Sequence, residues 1–218
     1  MNTTPLTLIL AVFALTASAC TIIDGNGVLV EERRPLSAFS EVAADGPIQI
    51  DIQVDPDAQT PFAIALSGDE NLMPYVATRL EGHRLIIEET EWLSPAQPLR
   101  ATLTVPRLRG IDVSDSASII VRGVHRDTLR VRAAGHSRVV LQGEVESLSI
   151  ASSGSAHIDA LDLVAWSAHV DLVDNASVEV CVEETLEISA SGFSTLTFAC
   201  NPFHVIEDTA DNAHVQRY

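Results

Sequence analysis

Asp159 and Glu179 are the residues of this sequence best placed to do chemistry. They stand 20 residues apart, one interval of a repeat that runs through the second half of the chain. His157 precedes the first by two positions, and Arg138 shares the His157 column one interval earlier. If successive repeats stack as strands, the two carboxylates lie about 5 Å apart on one face, where they could share an acid–base step or hold calcium. The same pattern also describes a solvated acidic face whose repulsion Arg138 and His157 ease. Trp92 and Trp166, the two tryptophans of the chain, are candidate platforms for a sugar ring or ordinary edge-packing side chains. Five Arg between Arg122 and Arg138 spread over both faces of strands and read as a salt-bridged surface, not an anion site.

Other chemistries lack their signatures. The seven His (83, 125, 136, 157, 169, 204 and 214) are never at metal-site spacing, and His157 and His214 share a column three repeats apart. No Gly-x-Ser-x-Gly elbow, phosphate loop or Gly-Gly-x-Gly-x-Asp calcium repeat is present. No catalytic residue, metal or cofactor is therefore expected.

The elements that position these residues are read from the repeat itself. Asp115, Gly135, Gly154, Asp174, Gly192 and Asp211 form a reference column with intervals of 20, 19, 20, 18 and 19 residues. Two places later stand Ala117, Ser137, Ala156, Ala176, Ser194 and Ala213, and four places later Ile119, Val139, Ile158, Val178, Leu196 and Val215. Four places earlier stand Ile111, Val131, Ile150, Val170 and Ile188. Columns two apart share one character, the period of strands flanking a turn. Gly or Asp at the reference position tolerates a left-handed backbone, and the Ala/Ser column fits a crowded inner corner. A single repeat cannot bury its apolar face, whereas stacked repeats can, as ladders about 4.8 Å apart.

The expected fold is all-β: a right-handed β-helix-like solenoid with rungs of about 19 residues over 107–218. Glu207, Thr209 and Arg217 replace apolar residues in the sixth repeat, which marks it as a capping rung. A β-sandwich also has regularly spaced short strands, but nothing in it requires a small residue two places after Gly/Asp in six successive units. The preceding part, 41–106, is β-rich and less regular. Around Gly46 the same offsets recover Val42, Ala44, Ile50 and Ile52; a hairpin is expected at Tyr75–Leu80 and Arg84–Glu89, and a strand from Leu99 to Val105. This part is expected to cap the solenoid end or to form a second β lobe, with 20–40 as a linker and 91–98 as a loop.

Composition bounds the setting. The 218 residues include 13 basic and 30 acidic side chains, a net charge of −17, and every basic residue is Arg. Such a surface repels phosphate backbones, so nucleic acid is not an expected partner. Residues 1–19 carry no charged side chain and are mostly apolar, too short for a membrane span, and read as a signal peptide. Ala17-Ser18-Ala19-Cys20 admits ordinary signal-peptidase cleavage or a lipobox in which Cys20 receives lipid. Lipidation leaves Cys181 and Cys200 as an even pair in an oxidising compartment. They are 19 residues apart, which stacks them on neighbouring rungs, yet their offsets from the reference differ by one, so a disulfide needs both at a corner.

Gly25-Asn26-Gly27 leading to Glu31-Glu32-Arg33-Arg34 and Leu36-Ser37-Ala38-Phe39, then Asp69-Glu70-Asn71-Leu72-Met73-Pro74-Tyr75-Val76, and Leu103-Thr104-Val105-Pro106 before Ile111-Asp112-Val113-Ser114 carry a resemblance. In these segments the chain resembles the putative auto-transporter adhesin, head GIN domain family of bacterial envelope proteins. The resemblance implies a β-helix-like fold behind a secretion or lipoprotein signal and brings no catalytic motif. The expected protein is a non-catalytic, adhesin-like binding or structural lipoprotein of the cell envelope, lipid-anchored at the outer membrane or periplasmic face, with a glycan or envelope protein as partner. The alternative is a polysaccharide-active β-helix enzyme using an acidic groove.

Overall fold

Six residues in the left-handed backbone region set the shape of the molecule. Asp115, Gly135, Gly154, Asp174, Gly192 and Asp211, the whole reference column, have φ between 55° and 76°. Asp is among the few side chains that enter this region at modest cost, so it can share the column with glycine. In this geometry the residue after each turn donates its N–H to the carbonyl of the reference residue one rung earlier. Such bonds join His136 to Asp115, Ser155 to Gly135, Asn175 to Gly154, Phe193 to Asp174 and Asn212 to Gly192, at 2.6 to 2.9 Å. The turns thereby form their own hydrogen-bonded column between the strand ladders.

The computed structural model describes residues 22–59, 62–125 and 128–218. The expected signal peptide and the lipidation position Cys20 lie outside these residues. Within them the chain is all-β, with no α-helix and one 3₁₀ turn at Met73–Tyr75.

Six strand–turn–strand units, about five turns of coil, make the solenoid. The strands are β10 (Gly110–Val113), β11 (Ser118–His125), β12 (Thr128–Ala133), β13 (Arg138–Ser152), β14 (His157–Leu172), β15 (Ser177–Ala190), β16 (Thr195–Ala199), β17 (His204–Thr209) and β18 (His214–Arg217). β13, β14 and β15 are long because each leaves one reference turn, rounds the opposite corner and enters the next. All neighbouring rungs pair in parallel, and the register follows the columns. Ile119 pairs with Val139, Val139 with Ile158, Ile158 with Val178, Val178 with Leu196 and Leu196 with Val215. On the other wall Ile111, Val131, Ile150, Val170 and Ile188 align in the same way.

These ladders are the core. Ile119, Val139, Ile158, Val178 and Leu196 are fully buried, as is the Ala/Ser corner column from Ala117 to Ser194. The Ser137 hydroxyl has no hydrogen-bond partner there, while Ser194 donates to the Ser191 carbonyl at 2.9 Å. The position thus selects for small volume, and the hydroxyl is incidental at Ser137. The opposite corner breaks the register at Val121/Val124 and Val140/Gly143. Gly143 is required there, because a Cβ would stand 2.1 Å from the Val124 carbonyl oxygen. Cys181 and Cys200 meet at this same corner and are joined by a disulfide, Cα to Cα 5.1 Å.

The N-terminal part continues the stack. β3 (Glu41–Ala44), the Gly46 turn and β4 (Ile48–Val54) lie parallel on β10 and β11, with Val42 on Ile111 and Ile50 on Ile119, 69 residues later in sequence. β7 (Arg84–Glu89) and β9 (Leu99–Val105) pair in parallel with β3 and β4 on their other side. The stack then ends in antiparallel cover. β5 (Phe62–Asp69) runs against β9, β2 (Leu29–Leu36) against β5, and β6 (Val76–Glu81) against β7 across the Gly82 turn. Two pieces expected to be irregular hold a short bridge, β1 (Ile23–Asp24) on β8 (Leu93–Ser94).

Asp69 fastens this bridge. One of its carboxylate oxygens accepts the Gly27 N–H at 2.8 Å, and the other accepts Ala96 and Gln97 N–H at 2.8 and 3.0 Å. Asn71 accepts from Asn26 N–H and donates to the Asp24 carbonyl. Gly25 leaves the space, since a Cβ would lie 2.2 Å from the Asp69 carboxylate. The Gly25-Asn26-Gly27 and Asp69 to Asn71 motifs are therefore two halves of one structural clasp.

Two stability measurements check this account by urea unfolding. Ile158→Ala, in the middle of a ladder, is expected to cost about 2–5 kcal/mol. Ser137→Ala, which removes an orphaned buried hydroxyl, is expected to leave stability unchanged or raise it by about 1 kcal/mol.

Candidate functional site

Alternation along β13, β14 and β15 turns the third and fifth residues after each reference turn outward. Arg138 pairs with His157 and His157 with Ser177; Val140 pairs with Asp159 and Asp159 with Glu179. The two carboxylates thus stand on adjacent strands, as the spacing predicted, with His157 two residues along on the same face. Asp159 also accepts a hydrogen bond from the Leu161 N–H at 3.3 Å. His157, Asp159 and Glu179 are half-buried among their neighbours on a wall, and none of them lines the cavities described below. Among the described residues no three or more His, Cys, Asp and Glu side chains converge as a metal site would need.

The other wall carries a series of ion pairs. Arg84 bonds Asp112 at 2.7 Å, Arg132 approaches the same carboxylate at 3.9 Å, and Arg130 reaches Glu41 at 3.3 Å. Arg122 pairs with Asp51 at 3.0 Å on the Asp159 side of the solenoid. The described members of the Arg122 to Arg138 run that pair do so across rungs, as a salt-bridged surface should. Arg84, Asp112 and Arg132 flank a groove of about 740 Å³ floored by Ala43, Ala151 and Ser153. Exposed cross-rung pairs of this kind contribute little to stability one at a time.

Both tryptophans are solvent-facing: Trp92 is 70% exposed and Trp166 56%. Trp166 sits at the corner opposite the reference turns, in a cleft of about 480 Å³ with Glu144, Glu146 and Glu183. Trp92 lies on the 90–98 loop beside a cleft of about 500 Å³ lined by Asp45, Glu89, Glu91 and Asp115. An exposed indole beside carboxylates can stack on a sugar ring while the acids accept its hydroxyls.

Glu89 was not singled out by its spacing. Its side chain packs against Gly46, where a Cβ would stand 3.2 Å away, and its Oε1 is buried without a partner. Burial pushes its carboxyl up to about 7, opposed by a hydrogen bond from the Leu93 backbone and helped by the neighbouring Asp45. The sequence signal was the reference turn at Gly46, which predicts a close neighbour on the next rung without saying which.

Fold and surface define a class: a repeat protein that presents ladder-supported lateral walls, open grooves and exposed corners. The chain belongs to the family described as putative auto-transporter adhesin, head GIN domain, whose model matches residues 38–202. No curated protein sequence matches it. Among solved structures it is similar to a putative adhesin from Bacteroides fragilis, with 14% identity, TM-score 0.72 and coverage of 90% of this chain and 100% of that one. A protein described as a putative lipid binding protein from Parabacteroides distasonis has 16% identity and TM-score 0.54, covering 91% and 100%. A putative adhesin from Parabacteroides merdae has 14% identity and TM-score 0.54, covering 90% and 99%. At these identities the likeness establishes the fold. The family is adhesin-like, which is the character of a cell-surface or envelope protein.

Glu89 yields a pH prediction. A carboxyl with a folded-state value near 7 and an ordinary value of 4.5 holds its proton more tightly when folded. Its contribution to stability is therefore full below about 4.5 and is lost as pH rises through about 7. Thermal melts between pH 4.5 and 8 should show wild type losing stability relative to Glu89→Gln. Parallel curves for the two proteins would mean that Glu89 is ionised in the fold.

Proposed function

We propose that this chain is a non-catalytic, adhesin-like binding lipoprotein of the bacterial cell envelope. Residues 1–19 act as its signal peptide, and lipid on Cys20 holds it at the outer membrane or periplasmic face. Its partner is a glycan or an envelope protein, met by the lateral surface and corners of the solenoid. The observation that carries the reading is membership of an adhesin-like family combined with a surface whose charges pair with one another instead of converging on a reacting centre. The exposed Trp92 and Trp166 supply the contact platforms such a role uses. The charge of −17 argues against nucleic acid as the partner.

A second reading, a polysaccharide-active enzyme, draws on the adjacency of Asp159 and Glu179. It requires that the purified protein cleave a polysaccharide and that Asp159→Asn with Glu179→Gln abolish the cleavage. Absence of turnover from the wild type across a polysaccharide panel removes it.

Two experiments test the main reading. Cells fed labelled palmitate should label the wild type and not Cys20→Ser; an unlabelled wild type removes the anchor. On a glycan array or in an envelope pull-down, the wild type should retain a partner that Trp92→Ala or Trp166→Ala weakens by roughly tenfold, as loss of an aromatic anchor does. Retention unchanged in both variants would move the contact surface away from the tryptophans.

A further inference from the structure

The two ends of the solenoid are finished differently. At the N-terminal end the antiparallel strands β5, β2 and β6 cover the stack, and β2 and β6 are each bonded to a single strand. At the C-terminal end β17 is bonded only to β15, and β18 only to β16. Each therefore leaves one edge of backbone N–H and C=O groups without a strand partner among the described residues. Phe193, Phe203, Val205, Ile206 and Tyr218 are all exposed around this end. An open strand edge flanked by apolar side chains is a template for another strand, and the inward charges Glu207 and Arg217 that make this rung a cap restrict it to a strand of matching charge.

We propose that this end is a two-fold pairing site for a second copy of the same chain, tail to tail. The inward residues of β17 are Val205, Glu207 and Thr209, stacked on Leu186, Ile188 and Ala190. Those of β18 are Val215 and Arg217, stacked on Leu196 and Phe198. β17 runs towards the Asp211 turn and β18 away from it. A two-fold axis along the strands consequently lays β17 of one copy antiparallel on β18 of the other. Glu207 then lies beside the partner subunit's Val215 and diagonal to the partner subunit's Arg217, within reach of long side chains. On the outer faces Asp208 comes beside the partner subunit's His214, because the two stand three places either side of Asp211. Each end thus offers an acid where its copy offers a base, the self-complementarity an isologous contact needs. Pairing β17 with β17 instead would set Glu207 and Asp208 against the same acids and is disfavoured.

The consequence deepens the adhesin reading and rests on it. The chain enters the fold through β1, bridged to β8 on the loop between β7 and β9, at the end opposite the paired one. Two anchored copies joined tail to tail therefore carry their anchors at opposite extremes and span two surfaces. The end of a solenoid is narrow, so each contact is weak, and adhesion comes from many contacts acting together.

Sedimentation of the purified full chain carrying Cys20→Ser tests the pairing without lipid. A concentration-dependent dimer is expected. Glu207→Arg and Arg217→Glu should each weaken it roughly tenfold or more by setting like charges together. An equimolar mixture of the two variants should restore it, because each contact then joins Arg to Glu. Misfolding of either variant could not give that rescue. A wild type that stays monomeric at about 1 mM, a dimer indifferent to both substitutions, or a mixture no tighter than its components overturns the proposal. Beads carrying the wild type by its N-terminal end should cluster and those carrying Arg217→Glu should not; clustering of both overturns the bridging role. A lipidated but monomeric protein leaves the adhesin reading intact and removes this pairing, whereas a dimeric protein without lipid does the reverse.

Discussion

Everything in this molecule depends on a corner that closes in the same way six times. The left-handed residue aims its carbonyl along the solenoid axis, where the next rung's turn supplies an N–H. That bond fixes how far each rung advances and which strand residues face one another. Because side chains alternate with a period of two, a one-residue slip would expose every ladder residue, so the corner protects the whole core. Stacking adds a local rule. Asp174 and Asp211 each send a carboxylate back to the N–H of the glycine below, Gly154 and Gly192, at 3.1 and 3.2 Å. Gly135 and Gly192, which stand above Asp115 and Asp174, have no room for a Cβ.

The solenoid was legible because its information is periodic and local. A column of small residues two places after Gly or Asp has few explanations besides a repeated inner corner. The N-terminal rungs were harder, since β4 meets β11 across 69 residues and β7 is split from β9 by a long loop. Gly46 hinted at one of these rungs, and nothing in its neighbourhood named Glu89 as the side chain packed on it. The opposite corner went unread because Gly143, the Cys181–Cys200 bond and the left-handed Cys200 and Asn201 solve the same bend by different means. Asp69 looked like part of a motif. Only the three-dimensional contacts show that it replaces the hydrogen bonds a strand ladder would have supplied to Gly27, Ala96 and Gln97.

The surface is the complement of this core. With the ladder columns committed to apolar residues, most of the described acids go to the outward columns, corners and loops, the exceptions including Glu207 in the last rung and Asp69 in the clasp. Asp159 and Glu179 are adjacent for the reason Ile158 and Val178 are: the register that aligns the core also aligns the coat. Adjacency of like residues on a solenoid is therefore weak evidence of chemistry. Departures from the repeat say more, and here these are the two exposed tryptophans, the paired charges on the Arg84 wall and the charged last rung, whose outer edge has no strand partner among the described residues.

The claim that the turn column holds the fold is tested most directly by comparing two glycines with the same backbone conformation. Gly192 and Gly27 have φ of 76° and 75°, but a Cβ on Gly192 would stand 2.7 Å from the Asp174 carbonyl oxygen, whereas one on Gly27 meets nothing within 4 Å. Alanine at either site bears the left-handed penalty of about 1–2 kcal/mol. Only at Gly192 must it also push two rungs apart, at a further cost of about 1–3 kcal/mol. Equilibrium unfolding should place Gly192→Ala well below Gly27→Ala in stability. Equal losses would contradict the account and mean that the strand ladders alone set the stack.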